Sequence, residues 1–309
     1  MKKLIAMILA LALCVSMAAC AGQSGSANAD FTVGICQLME HESLDKATEG
    51  FKAALKSALE AEGKTVAFDE QVAGGSDLCT TVVGTFTAKN VDLIMANATP
   101  ALLAAANATT TIPVLGTSVT DYNDTFSGSI PANVSGTSDA VPFDEQAQMM
   151  IDTLGLAAGD QVGVLYCSDE SNSKIQYEAV KTLFEAEGIV VEAYTFSETT
   201  ELQTLVTNAC GECKAIYVPS DNTVADNDGI VGTVCNEKKI PVYTSYGGKI
   251  CYASLAIDYY ALGEETGKMA AQILLGKKTP ADIEIATLTP AVVYNEELCN
   301  ALGIQIPEK

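Results

Sequence analysis

The chain has no tryptophan and a single histidine, His41, and its 17 basic residues stand against 39 acidic ones, a formal charge of -22. Each scarcity removes a class of function. One imidazole cannot furnish a zinc site of several histidines or a set of histidine general bases. So acidic a surface repels phosphate backbones, which argues against nucleic acid as a partner and equally against direct adhesion to anionic lipid. No GxSxG elbow, GxxxxGK[ST] loop or GxGxxG fingerprint occurs, so neither a serine-hydrolase turn nor a phosphate cradle is expected. Past residue 15 no stretch is long and apolar enough to cross a bilayer as a helix. No nucleophile and base are assembled, and the chain reads as a binding protein rather than an enzyme, with no metal site expected.

What is present begins at the N-terminus. Met1, Lys2 and Lys3 precede an apolar run from Leu4 to Val15, too short to span a bilayer and of the size of a signal-peptide core. The run ends in MAAC. Small residues ahead of a cysteine resemble a lipobox, so residues 1–19 are read as a signal peptide and Cys20 as the lipidated first residue; secretory cleavage near Ala19 is the competing reading. AGQSGSANAD follows, making 20–29 the lipidated cysteine and a flexible tether. The protein is then extracytoplasmic and anchored to the cell membrane by lipid, stably only with two or more acyl chains. Loss of residues 1–19 leaves 290 residues and a charge of -24, enough chain for two lobes with cores of their own.

Two stretches carry one pattern twice. FTVGICQLME leads through a helical run to EAEGKTVAF, VDLIMANATP and TIPVLGTSVTD; QVGVLYCSDE leads to EAEGIVVEAY, KAIYVPSDNT and KIPVYTSYGGK. Gly34, Gly63, Ile94 and Pro113 correspond in order to Gly163, Gly188, Ile216 and Pro241. The apolar runs 32–36, 91–96, 162–167 and 215–218 scarcely alternate, as suits strands covered on both faces. Between Ser43 and Ala61 the apolar residues Leu44, Ala47, Phe51, Leu55 and Leu59 recur at helical steps before Gly63, and Ile175, Ala179, Leu183 and Phe184 do so before Gly188. Strands alternating with helices mean parallel βαβ units, hence an α/β fold of two open sheets with helices on both faces. Ligands of such sheets sit beyond the carboxyl ends of the strands, so two facing sheets share one cleft.

Eight cysteines lie beyond Cys14 and Cys20. An even number in an exported protein invites disulfides, but Cys36 and Cys167 fall in predicted buried strands, where cysteine serves as a small apolar residue. The CGEC pair, Cys210 and Cys213, follows a helical run and precedes a strand. A redox pair belongs at a helix N-terminus, where the dipole lowers the thiol pKa, so this is the wrong end.

The predicted strand ends carry small polar groups suited to recognition: Gln37 and Glu40, Thr99, Ser118, Thr120 and Asp121, Ser171 and Asn172, then Ser220, Asp221 and Asn222. Thr99, Ser171 and Asn222 are also where helices begin and serve as caps in the plainer reading; His41 is an exposed residue in that reading. Asp121 and Asp221 follow strands aimed at the cleft, where a carboxylate receives an ammonium group or sugar hydroxyls. Helix starts near Thr99 or Ser171 offer N–H groups to a carboxylate, and Tyr166 or Tyr246 a ring to stack on.

At these residues EHESLD (40–45), NATPA (97–101), SVTD (118–121), VSGTSD (134–139), IYVPSDNTV (216–224) and AIDYYALGEETGKMA (256–270) resemble the ABC-transporter substrate-binding lipoproteins of the tryptophan/tyrosine-binding type. The resemblance implies a type I periplasmic-binding-protein fold: two Rossmann-like lobes with parallel sheets flanked by helices, joined by a three-crossover hinge. It implies no cofactor and no catalysis. SVTD and NATP, with Thr99 and Pro100, would line one lobe's side, PSDN and residues 171–173 the other, with Gly136–Ser138 and Ala256–Asp258 at crossovers. The loop TSYGGKICYASLAIDYY, containing Tyr246, is shorter and differently composed than the family's usual one. The expected lobes are 30–137 plus 256–287 and 138–255 plus 288–309. The function so implied is that of a monomeric receptor delivering a small molecule, foremost an amino acid, to an ABC permease. Two alternatives stay open: the ligand-binding subunit of a membrane sensor, and an envelope thiol oxidoreductase using Cys210 and Cys213.

Overall fold

The computed structural model describes residues 29–307; the proposed signal peptide, Cys20 and all but the last residue of the tether lie outside the described residues. In chain order the strands are β1 (Phe31–Gln37), β2 (Val66–Val72), β3 (Leu93–Asn97), β4 (Val114–Val119), β5 (Val134–Ser138), β6 (Gln161–Cys167), β7 (Val190–Phe196), β8 (Ala215–Val218), β9 (Val242–Thr244), β10 (Ala253–Ala256), β11 (Ala286–Thr287) and β12 (Ala291–Tyr294). The helices are α1 (Glu42–Glu60), α2 (Ser76–Lys89), α3 (Thr99–Ala108), α4 (Tyr122–Thr125), α5 (Phe143–Leu154), α6 (Ser171–Ala186), α7 (Leu202–Glu212), α8 (Asn222–Asp226), α9 (Asp228–Lys238), α10 (Tyr259–Leu274) and α11 (Glu296–Leu302).

The strands form two six-stranded sheets of like order, β11-β5-β4-β3-β1-β2 and β12-β10-β9-β8-β6-β7. The first is parallel throughout; in the second only β12 runs antiparallel, against β10. The chain passes between sheets after β5, after β10 and after β11, three crossovers in all.

Period-two alternation divides each central strand between two cores. On one face of the first sheet Val33, Ile35, Leu93 and Met95 meet Phe51, Leu55 and Leu59 of α1 and Met269 of α10. On the other, Cys36, Ile94 and Ala96 meet Val83 and Phe86 of α2 and Leu102 of α3. The second sheet repeats the plan: Val162, Val164 and Tyr217 face Val180 and Phe184 of α6, while Leu165, Ile216 and Val218 face Val206 of α7 and Val231 of α9.

The internal repeat extends to single hydrogen bonds. Ile94 N–H donates to Pro113 O at 2.9 Å and Ile216 N–H to Pro241 O at 3.0 Å. Gly63 and Gly188, where α1 and α6 give way to the next strand, have φ of +67° and +76°, a region open to glycine at no steric cost. Helices α1 and α10 pack backbone to backbone, since a Cβ on Gly50 would lie 2.1 Å from Tyr260 O and one on Gly263 1.9 Å from Ala47 O.

Candidate functional site

The carboxyl ends of both sets of strands point at one recess. From the first sheet come Ser118 near the end of β4, Thr120 just after it and Asp139 after β5; from the second, Asn172 after β6, Ser220 and Asp221 after β8, and Tyr246 after β9. His41, at the start of α1, and Tyr259, the first residue of α10, complete its walls. The recess encloses about 10 Å³ of free volume and shares His41, Ala225, Tyr246 and Tyr259 with an outer vestibule of about 570 Å³. Ten cubic ångströms is roughly one water position, so a ligand the size of an amino acid enters only with the lobes further apart.

Buried polar groups nearly always find partners. Among the described residues five buried side-chain atoms do not, and four of these belong to residues lining the recess: Ser118 Oγ, Asp139 Oδ1, Asn172 Oδ1 and Tyr246 OH. Their neighbours are fixed. Asn172 Nδ2 donates to Ser220 O at 2.7 Å, orienting the amide so that Oδ1 is the free atom. Tyr259 OH donates to Asp139 Oδ2 at 3.0 Å, leaving Oδ1 free. Burial pushes the Asp139 carboxyl above the usual range, against the opposing Tyr259 bond. Burial, then the Asp139 charge, pushes the Tyr259 phenol up in turn. Ser118 has φ +55°, a left-handed conformation uncommon for serine and of the kind that collects at ligand clamps.

Beneath the recess two carboxylates organise the short helix α8. Asp221 is its cap: Oδ1 accepts from Val224 N at 2.8 Å and Oδ2 from Cys167 N at 2.8 Å. Glu170, 2 % exposed, accepts from the N–H groups of Asn222 (2.9 Å) and Thr223 (2.8 Å) and from both side chains at 2.7 Å. Burial, reinforced by the neighbouring Glu170 charge, holds the Asp221 carboxyl well above its ordinary range. Asn222, so held, reaches across the cleft, its Oδ1 3.3 Å from His41 Nε2. Burial lowers the His41 pKa despite that bond and the nearby Glu170 charge.

Seven of the residues singled out from the sequence line the recess: Ser118, Thr120, Asn172, Ser220, Asp221, Asn222 and Tyr246. The others, His41 apart, are engaged elsewhere. Gln37 accepts from Thr48 Oγ1 and donates to Asp45 and Met39 O, bracing the start of α1. The Asp121 carboxylate caps α4 by accepting from Asp124 N at 2.9 Å. Ser138 Oγ donates to Thr120 O and accepts from Ala140 N. Thr99, Pro100 and Ser171 line a neighbouring cavity of about 270 Å³ with Asp169. Thr99, Ser171 and Asn222 are first helical residues rather than caps, which are Ala98, Glu170 and Asp221. Tyr166 stacks on Tyr177 at 5.3 Å. His41 is half-buried and bonded, not an exposed helix entrance.

Sequence pattern alone does not single out Asp139, Glu170 or Tyr259. The first ends the VSGTSD motif and the third sits in AIDYYALG, so their motifs were visible; Glu170 in SDESNS carries the signature of a solvated loop. One further trait bears on the chemistry: the chain has no arginine, and no lysine lines the recess. The CGEC pair does not form a facing dithiol. Cys213 Sγ lies 3.6 Å from both Tyr194 OH and Gln161 Nε2, while Cys210 Sγ faces Cys235.

A model of the ABC transporter substrate binding protein family matches residues 32–309. A tyrosine-binding protein of Clostridioides difficile is 34% identical over 327 residues, covering 98% of this chain and 93% of its own. Among solved structures, an ABC domain from Streptococcus pneumonia in complex with L-Trp is 32% identical with a TM-score of 0.79, over 89% of this chain and 96% of that one. A ligand-free, open substrate binding protein with adhesive properties from Clostridium difficile is 33% identical with a TM-score of 0.65, over 90% and 96%. At nearly equal identity the ligand-bound relative superposes better, so the lobes here stand nearer its arrangement than the open one. A sequence match over nearly all the described residues, two like sheets joined by three crossovers and a recess between their strand ends agree: the chain belongs to the ABC transporter substrate binding protein family.

Proposed function

We propose that this extracytoplasmic receptor captures an amino acid with an aromatic side chain between its lobes and hands it to an ABC permease, tethered to the membrane through Cys20. The observation that carries the ligand class is the set of unpartnered atoms in the recess. Asp139 Oδ1 and Asn172 Oδ1 only accept, which suits an ammonium group; the Ser118 and Tyr246 hydroxyls can donate, which suits a carboxylate. A zwitterion satisfies both kinds. With no lysine or arginine lining the recess, and with burial lowering the pKa of its one imidazole, His41, a ligand that is only an anion finds no fixed counter-charge there. The ammonium contact therefore moves from Asp121 and Asp221, both spent on helix caps, to Asp139. The tyrosine and tryptophan named for the two relatives support an aromatic side chain, which the vestibule beside Tyr246, Tyr259 and Tyr260 has room to hold. Lobes of 30–137 plus 256–287 and 138–255 plus 288–309 are supported by the division of strands between sheets. Ligand contacts spanning both lobes favour the closed form, and the permease reads closure.

The test is calorimetric titration of a soluble form beginning at residue 28, unfolded and refolded to strip co-purified ligand, with tyrosine, tryptophan, phenylalanine, a decarboxylated amine and a deaminated acid. Binding of an aromatic amino acid with loss of affinity in both truncated ligands is the expected result. Binding of a sugar alone, or of the amine as tightly as the amino acid, would overturn the zwitterion reading.

A further inference from the structure

We propose that Cys210 and Cys235 form a disulfide in the exported protein, a brace within the second lobe. Cys210 near the end of α7 and Cys235 in α9 have their sulfur atoms 3.4 Å apart across packed helices. Both are free thiols in this structure; a disulfide needs an S–S separation near 2.05 Å, so the two sulfur atoms, already in contact, have to approach by a further ~1.4 Å to bond. The family works outside the cytoplasm, where disulfides persist.

The reaction is thiol–disulfide exchange. Cys210 Sγ attacks a small-molecule disulfide, releasing one thiol and forming a mixed disulfide; Cys235 Sγ, losing its proton to solvent, displaces the second thiol and closes the bond. Two protein thiols are oxidised and one disulfide is reduced to two thiols. Cys210 is the entry point, at 8% exposure against 1% for Cys235. The Cys235 S–H bond to it, with Lys238 beside it, lowers the Cys210 pKa, which favours the thiolate that attacks. A second adjoining pair, Cys36 and Cys79, offers no such entry: both are 0% exposed. Cys210 to Cys235 encloses α8, with Asn222 on the recess, so the brace holds that wall while leaving the crossovers free.

The test uses the full chain recovered from the cell envelope with free thiols blocked by N-ethylmaleimide at lysis, then digested without reduction. Expected is a cross-linked peptide pair containing Cys210 and Cys235, retained in C213S and lost in C235S. Reduction should lower Tm by about 5 °C, as removal of a cross-link closing a loop of this length does. The proposal is overturned if Cys210 and Cys235 both carry the blocking group and still do so after incubation with oxidised glutathione before blocking, or if Cys210 is found bonded to Cys213.

Discussion

His41 Nε2 in the first lobe stands 3.3 Å from Asn222 Oδ1 in the second, joining residues 181 positions apart. Asn222 only accepts at that atom, so the imidazole donates from Nε2. Any parting of the two lobes would have to break this contact.

Closure should therefore weaken in acid. Burial lowers the His41 pKa in the closed form from its ordinary 6.5, so the closed state binds fewer protons than the open one. Its stability is undiminished above about pH 6.5 and falls as pH drops below that value, where the open form takes up a proton. Ligand affinity measured from about pH 8 to about pH 5 should decline at the acid end, and less so in H41Q. Parallel profiles for the two proteins would remove His41 from this role.

Asp139→Asn keeps the shape of the side chain and removes the charge. Ligand affinity should fall by about 10- to 100-fold, the worth of a hydrogen bond to a charged group, while Tm holds or rises, because burial already disfavours this carboxylate. Asp221→Ala should behave oppositely, lowering Tm before any ligand is added through loss of two backbone N–H partners, about 3 kcal/mol. Calorimetry and thermal melts on both variants separate the two roles.

Ser118→Gly relieves a left-handed backbone and removes a buried hydroxyl without a partner. Stability should rise by about 1 kcal/mol and affinity should drop several-fold, a trade expected where strain serves a binding site. Denaturant titration showing a loss of stability instead would mean that the hydroxyl has a structural partner.

The α1–α10 contact should tolerate no methyl group. Gly50→Ala and Gly263→Ala drive a Cβ into facing backbone, and each should cost about 3 kcal/mol. Gly84→Ala in α2, with nothing within 4 Å of the added atom, should stabilise by up to about 1 kcal/mol through helix propensity. Urea midpoints of the three variants check the contrast.

The fold was legible because it rests on local and periodic signals. Unbroken apolar runs mark strands covered on both faces, Gly63 and Gly188 end helices, and the order of these signals repeats, so the sequence alone determined two like α/β halves and a cleft beyond their strand ends. Even Ile94 with Pro113 and Ile216 with Pro241 keep the same hydrogen bond in both halves. The site was legible only to the resolution of a strand end. Asp121, Asp139 and Asp221 all follow strands, and nothing local distinguishes a carboxylate that caps the next helix from one left with a free oxygen. Asp121 and Asp221 each cap the helix that follows, accepting from the N–H three residues on, whereas tertiary structure decided the rest: Cys167 N takes the other oxygen of Asp221, and Tyr259, which begins a helix 120 residues along the chain, takes one oxygen of Asp139 and leaves the other. The same holds for sulfur, where CGEC placed Cys213 beside Cys210 in sequence and helix packing placed Cys235 beside it in space. Periodicity reports which face of an element is buried; which polar atom on that face stays unpaired depends on groups arriving from distant elements, and local sequence does not encode their positions.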